Sequence, residues 1–254
     1  AKLFGIIDGM SQTLAMSLGA SETTLMRLTT AYAMLVNGGK RITPALIDRI
    51  QDRNGQTVFR HDHRECIKCR AGIWARQQPP EVPDSREQVT DAGSAYQIVD
   101  MLKGVVERGT GRRIAKLGRP LAGKTGTTNK ERDTWFIGFS TDLVVGVFAG
   151  FDTPKPLGRR ETGSSVAAPI FRDFMAEALK GEPAIPFRIP PNIRLVRVDA
   201  RTGRRAVVDT KNVILEAFKP GTVPAGKGEV LEGQAWTAEG TSVGTAITGT
   251  GAFY

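Results

Sequence analysis

The sequence predicts a mixed α/β fold of the α+β kind, an antiparallel sheet flanked by helices, and three observations carry that prediction. Apolar residues recur at helical spacing in three separate stretches. Between the second and third of these, two runs of apolar, β-branched and aromatic residues flank a short polar turn, the pattern of a hairpin. Earlier in the chain, Asn54-Gly55 sits inside residues 47–59, and Asn-Gly between apolar runs is the strongest short hairpin signal.

Taken in order, Leu25, Leu28, Tyr32 and Leu35 share one face of the first helix, with Ser21 as its expected cap and Gly38-Gly39 as its stop. The hairpin at 47–59 follows. Residues 61–91, with Pro79, Pro80 and Pro83, then form a loop long enough to act as a lid or a docking surface. A second helix is expected over 94–108, burying Ile98, Leu102, Val105 and Val106. Trp135-Phe136-Ile137-Gly138-Phe139 and the run 143–151 make the two strands, joined at Ser140-Thr141-Asp142. The third helix carries Ile170, Phe174, Ala178 and Leu179 and ends near Gly181. All three helical stripes read as core rather than as cofactor contacts, and no cofactor is expected.

Past Gly181 the composition shifts. Pro183, Pro186, Pro190 and Pro191 mark a linker, and residues 193–198, Thr202-Gly203 and residues 206–208 read as a small appended hairpin. This gives a main body at 1–185, linker and hairpin at 186–220, and a tail at 221–254. Glycine, threonine and alanine dominate that tail without periodicity, so it is expected to be disordered.

Composition narrows the function classes. The 35 Lys and Arg against 26 Asp and Glu give a net charge of +9. Arg108, Arg112, Arg113, Lys116 and Arg119 cluster, but no base-stacking aromatics are interleaved with them, so a nucleic-acid partner is not expected. A solvated face, or attraction for carboxylates and phosphates, accounts for the cluster. The longest apolar run, 143–151, falls well short of the roughly 18 residues a membrane span needs, and no secretory signal is present.

The stretch Gly123-Lys124-Thr125-Gly126-Thr127-Thr128 fits two unrelated catalytic signatures. Counted from Gly118, it satisfies the phosphate-binding loop pattern; counted from Lys124, it is the Lys-Thr-Gly element of serine penicillin-recognising enzymes. A phosphate loop must follow a buried strand and open a helix. Residues 112–117 are too charged for such a strand, and the chain after Lys124 leads into β-type residues at Trp135. The nucleotide reading is therefore set aside. Residues 124–128 are instead expected to be an edge strand, whose unpaired backbone groups can take up an extended peptide. Lys124, Gly126 and Thr128 would face one way, and Thr125 and Thr127 the other.

The run Leu121-Ala122-Gly123-Lys124-Thr125-Gly126-Thr127-Thr128-Asn129, followed by Trp135-Phe136-Ile137-Gly138-Phe139, resembles the C-terminal half of the transpeptidase domain of class A penicillin-binding proteins. Supporting stretches occur in consistent order: Ser17-Leu18-Gly19-Ala20, then Asn37-Gly38-Gly39, Glu107-Arg108-Gly109-Thr110-Gly111, and Thr162-Gly163 leading to Ala167-Ala168-Pro169-Ile170-Phe171. The resemblance covers residues 1–185. It implies a penicillin-binding, serine β-lactamase-like transpeptidase fold, incomplete at its N-terminal side, and peptidoglycan D,D-transpeptidation through an acyl-enzyme. The implied partners are peptidoglycan stem peptides, β-lactams and other cell-wall synthesis machinery. The implied location is the periplasmic face of the bacterial inner membrane, with any anchor upstream of Ala1.

Residue by residue, the resemblance implies that Lys124 supplies positive charge for a substrate carboxylate and for deprotonation of a second-motif serine. Thr125 and Thr127 would hydrogen-bond the carboxylate, with Thr128 alongside, and the backbone N–H of Thr127 would be an oxyanion donor. Gly126 would let the substrate backbone approach closely. The sequence departs from the family in having no Ser-x-x-Lys and no Ser-x-Asn. In the family both precede the point where this chain begins, so a truncated piece is expected, without activity in isolation. The competing reading is a non-catalytic cell-wall peptide-binding module.

Cys66 and Cys69 are the only cysteines, in a loop that also holds His61 and His63. A zinc site, free thiols and a local disulfide are all open to them. Four ligands so close in sequence make a zinc tetrahedron awkward, and in the oxidising periplasm that the resemblance implies, the disulfide is the reading taken, with no metal.

Overall fold

The structure, a computed structural model, describes residues 1–11, 13–64, 66, 69, 73, 76, 78 and 82–224. Its elements run α1 (Leu25–Val36), β1 (Arg49–Gln51), β2 (Thr57–Arg60), α2 (Ala92–Arg108), β3 (Ala122–Thr127), β4 (Asp133–Phe139), β5 (Val144–Gly150), α3 (Ala167–Ala178), β6 (Arg194–Asp199) and β7 (Val213–Phe218). The expected α+β architecture with antiparallel pairing is what forms. Among the described residues β3, β4 and β5 make one sheet in that order, and β1–β2 and β6–β7 make two-stranded ribbons.

The register pairs Lys124 with Ile137 and Thr125 with Phe136, so strand alternation sorts the sheet into two faces. One face carries Lys124, Gly126, Trp135, Ile137 and Phe139, with Phe148 opposite Trp135. On it lies α1. A Cβ on Gly146 would come within 2.1 Å of the Thr29 hydroxyl and 2.9 Å of Leu25, so glycine lets the helix lie close. The other face carries Thr125, Thr127 and Phe136 and is covered by α3, where Phe136 meets Phe171 with ring centroids 4.8 Å apart. α2 serves both cores. Its Val99 and Leu102 pack with Phe139 under Tyr32 and Leu35, and Val106 packs with Ile114, Phe136 and Phe171.

Three helical expectations change in detail. The α1 cap is Thr24, whose hydroxyl accepts from Arg27 N at 3.2 Å, whereas Ser21 lies beyond the end and donates to Met16 Sδ. α2 begins at Ala92 behind Asp91, whose carboxylate accepts from Ser94 N at 2.9 Å. It buries Ala95, Val99, Leu102 and Val106, while Ile98 is exposed. In α3 the buried residues are Ala167, Ala168, Phe171 and Met175, and the expected core residues Ile170 and Phe174 face outward at 49% and 53% exposure. The period is right and the phase is not, because a helix with apolar residues on more than one side is oriented by the surface it meets, here Phe136.

Asn54-Gly55 does make a hairpin turn. Gly55 takes φ 79°, and the Asp52 carboxylate accepts from the backbone N–H groups of Asn54 and Gln56. Ile50, Val58 and Phe59 on this ribbon are exposed.

The C-terminal hairpin differs from expectation. β6 pairs with residues 213–218, not with 206–208; Ala206 N donates to Arg197 O and Arg205 bridges Val198, but Val208 is left 98% exposed. The selection is tertiary. Asp100 on α2 accepts from Ala217 N at 3.1 Å, Gln97 Nε2 donates to Ala217 O at 2.9 Å, and Arg108 pairs with Glu216 at 2.5 Å. Burial pushes the Asp100 carboxyl upward from its ordinary range, against the opposing pull of Lys103, the Ala217 N–H and Arg108.

Of the tail expected to be disordered, residues 221–254, residues 225–254 lie outside the described residues, as do Pro79 and Pro80 of the long loop. Among the described residues no helix is long and apolar enough to cross a membrane.

Candidate active site

β3 begins buried and emerges. A Cβ on Gly123 would come 2.7 Å from Ile137 O and 2.8 Å from Gly138 Cα, so only glycine allows strands this close here. Ala122 and Gly123 are buried; from Lys124 onward the strand reaches the surface. β4 occupies one edge, and among the described residues no strand occupies the other.

The phase of the ladder decides which backbone groups look outward. Thr128 N donates to Asp133 O at 3.0 Å, just past the last paired residues. Antiparallel bonding alternates, so residues 122, 124 and 126 bond to β4, and the N–H and C=O groups of Gly123, Thr125 and Thr127 point to the open edge. Lys124 folds over that edge, its Nζ donating to Thr125 O at 2.8 Å.

Lys124 and Gly126 border a cleft of about 560 Å³ between the sheet and the N-terminal segment, with Trp135, Ile137, Phe148, Leu28 and Tyr32 in its wall. The Trp135 and Phe148 rings meet edge-on at 4.9 Å. A Cβ on Gly126 would lie 3.1 Å from Trp135 Cβ, so the missing side chain keeps this stretch of edge low.

Thr125 and Thr127 carry their hydroxyls on the opposite face, held there by two turns. In the first, Gly109 N and Gly111 N both donate to Val105 O, folding the chain back over the end of α2 and presenting Thr110, whose Oγ1 lies 2.8 Å from Thr125 Oγ1. In the second, Gly163 N donates to Thr127 Oγ1 at 3.0 Å. A Cβ on Gly163 would lie 2.5 Å from Gly126 O, so only glycine presses that turn onto the strand. Ser164 ties the two turns together by donating to Thr110 O at 2.9 Å. The structure thus brings Lys124, Thr125 and Thr127 to one edge from its two sides. Thr128 has a local role as well: its hydroxyl accepts from Asp133 N at 2.9 Å and closes the turn into β4.

Residues 7–176, well over half of the chain, match the model of the penicillin binding protein transpeptidase domain. The chain belongs to that family. Similar transpeptidase-family proteins include penicillin-binding protein 1A of Rickettsia bellii, 48% identical over 86% of this chain and 27% of the relative. Penicillin-binding protein 1A of Pseudomonas aeruginosa is 35% identical over 89% of this chain and 31% of the relative. The crystal structure of penicillin-binding protein 1A from Haemophilus influenzae superposes with a TM-score of 0.73 at 29% identity, covering 88% of this chain and 36% of that one. The family and fold read from the motifs stand. The transpeptidase-family chain described here spans between a quarter and a third of those curated relatives.

Within this transpeptidase-family fold, Thr110, Gly163 and Ser164 are contributors to the β3 edge that sequence reasoning did not assign. Their signal was available only as glycines beside hydroxyl residues, in stretches already noticed for family resemblance. Cys66 and Cys69 lie far from β3 in sequence and are joined in a disulfide with Cα atoms 5.3 Å apart. Among the described residues no group of three or more His, Cys, Asp and Glu side chains is gathered as for a metal ion. Arg112, Arg113 and Lys116 of the basic cluster are exposed.

Proposed function

We propose that this chain supplies the oxyanion and carboxylate-binding side of a serine D,D-transpeptidase that cross-links peptidoglycan stem peptides and is acylated by β-lactams. The observation that carries the reading is the β3 edge. Its outward backbone groups can pair with an extended acyl-D-alanyl-D-alanine, while the Lys124 ammonium and the Thr125 and Thr127 hydroxyls reach the terminal carboxylate from opposite sides.

In this scheme a serine oxygen outside these residues attacks the penultimate D-alanine carbonyl. The outward N–H of Thr127 stabilises the oxyanion, and the C–N bond breaks as the departing D-alanine nitrogen takes up a proton. An amine of a neighbouring stem then attacks the ester and forms the new amide as the ester C–O bond breaks, and one of the amine's own protons passes to the serine oxygen. Penicillin stops at the ester because its leaving nitrogen stays tethered. The active protein would work at the periplasmic face of the inner membrane.

Labelling with a fluorescent penicillin tests the assignment. The 254-residue chain alone should form no covalent adduct, because an oriented carbonyl without an activated nucleophile does not react. The full-length protein should be labelled at a serine outside these residues. An adduct on Ser164 or Ser165 of the isolated chain would show that the nucleophile has been misplaced.

An extracytoplasmic location also gives the Cys66–Cys69 disulfide the oxidising surroundings it needs. Protein isolated from the periplasm should be lighter than its reduced form by the two thiol hydrogens and carry no zinc. Stoichiometric zinc removable by a chelator would contradict the pairing.

A further inference from the structure

The hydroxyls of Thr125 and Thr127 each hold one proton and two lone pairs, and a carboxylate can be bound only by the proton. For Thr127 the question is already answered. Gly163 N–H donates to its oxygen at 3.0 Å, so the hydroxyl accepts on one side and keeps its proton for an anion. For Thr125 the corresponding neighbour is Thr110 Oγ1 at 2.8 Å, a contact in which either oxygen can be the donor. If Thr125 spends its proton on Thr110, it has none for substrate.

We infer that Thr110 is a positioning residue of this site: by donating to Thr125 Oγ1 it turns the Thr125 proton outward to the substrate carboxylate, in the role that Gly163 N–H plays for Thr127. The inference rests on the proposed carboxylate-binding edge. Anion binding selects the direction of the bond, since a carboxylate only accepts, and a hydroxyl that already accepts one hydrogen bond is a better donor in the next. The surrounding chain is built to hold Thr110 in place. Gly109 N and Gly111 N both bond to Val105 O, and Ser164 Oγ donates to Thr110 O at 2.9 Å, so the residue is fixed from α2 and from the turn before α3. A residue serving only to fill space would need no hydroxyl facing Thr125.

The test is acylation of the full-length protein by benzylpenicillin and by its methyl ester, which lacks the anionic carboxylate. Thr110→Val keeps the branched shape and removes the donor. It should slow benzylpenicillin about fivefold, the size of one neutral hydrogen bond, and leave the ester rate unchanged. Thr110→Ser should restore the wild-type rate. If Thr110→Val does not fold, Ser164→Ala carries the same comparison by loosening the Thr110 backbone, and it should show the same selective loss. Equal slowing of acid and ester, or no slowing of either, overturns the role of Thr110 while Lys124→Ala still slows the acid. If Lys124→Ala also leaves the acid rate unchanged, the carboxylate-binding edge itself is wrong and the inference falls with it.

Discussion

Replacing Lys124 by alanine is expected to slow acylation of the full-length protein by penicillin about 10²–10³-fold. Lys124 is exposed on the open part of β3, and its ammonium reaches over the edge to Thr125 O at 2.8 Å, beside the backbone groups that would receive substrate. A charge-assisted contact to an anion, in a site that stabilises developing negative charge, is worth about 3–4 kcal/mol of barrier, and alanine can replace none of it. The fold should be indifferent to the change, since the side chain is solvent-facing and bonds to a neighbouring carbonyl. Stopped-flow measurement of adduct formation, paired with a melting curve, separates the two effects. Unaltered acylation would remove Lys124 from the chemistry, and micromolar ATP binding lost in the same variant would revive the phosphate-loop reading.

Phe171→Ala should remove about 3–5 kcal/mol of stability, the usual cost of emptying a buried aromatic site. Phe171 is fully buried, meets Phe136 with tilted rings 4.8 Å apart, and packs among Val106, Ile114, Leu121 and Met175. A Cβ on Gly138 would lie 2.7 Å from its ring, so the ring already fills the space above β4 and its loss leaves a cavity. That is a large share of the 5–15 kcal/mol that typically holds a domain together. Phe174→Ala, one turn away but facing solvent, should change stability by no more than about 0.5 kcal/mol. Denaturant midpoints of the two variants decide the matter. The opposite ranking would mean that α3 packs with its Ile170–Phe174 stripe rather than the one described.

These two phenylalanines show where sequence reading succeeds and where it stops. The period of α3 was legible, because apolar spacing repeats locally; its phase was not, because both Ile170-Phe174 and Phe171-Met175 fit a helical stripe. The same holds at the C-terminal hairpin. β6 was legible as a strand, but its partner was chosen by Asp100, Gln97 and Arg108 of α2, more than a hundred residues upstream of the strand they select.

The sequence by itself determined the family, the order of the principal helices and strands, the β4–β5 hairpin and the place of Lys124, Thr125 and Thr127 on an edge strand. Those properties follow from hydrophobic period, turn chemistry and short motifs, all written within a few residues of one another. Only the tertiary structure decided which helical faces are buried, which backbone groups of β3 look outward, and how Thr110, Gly163 and Ser164 converge on the strand. That convergence depends on contacts between residues 15 to 54 positions apart, whose chemistry is unremarkable until folding brings their hydroxyls and amides within hydrogen-bonding distance.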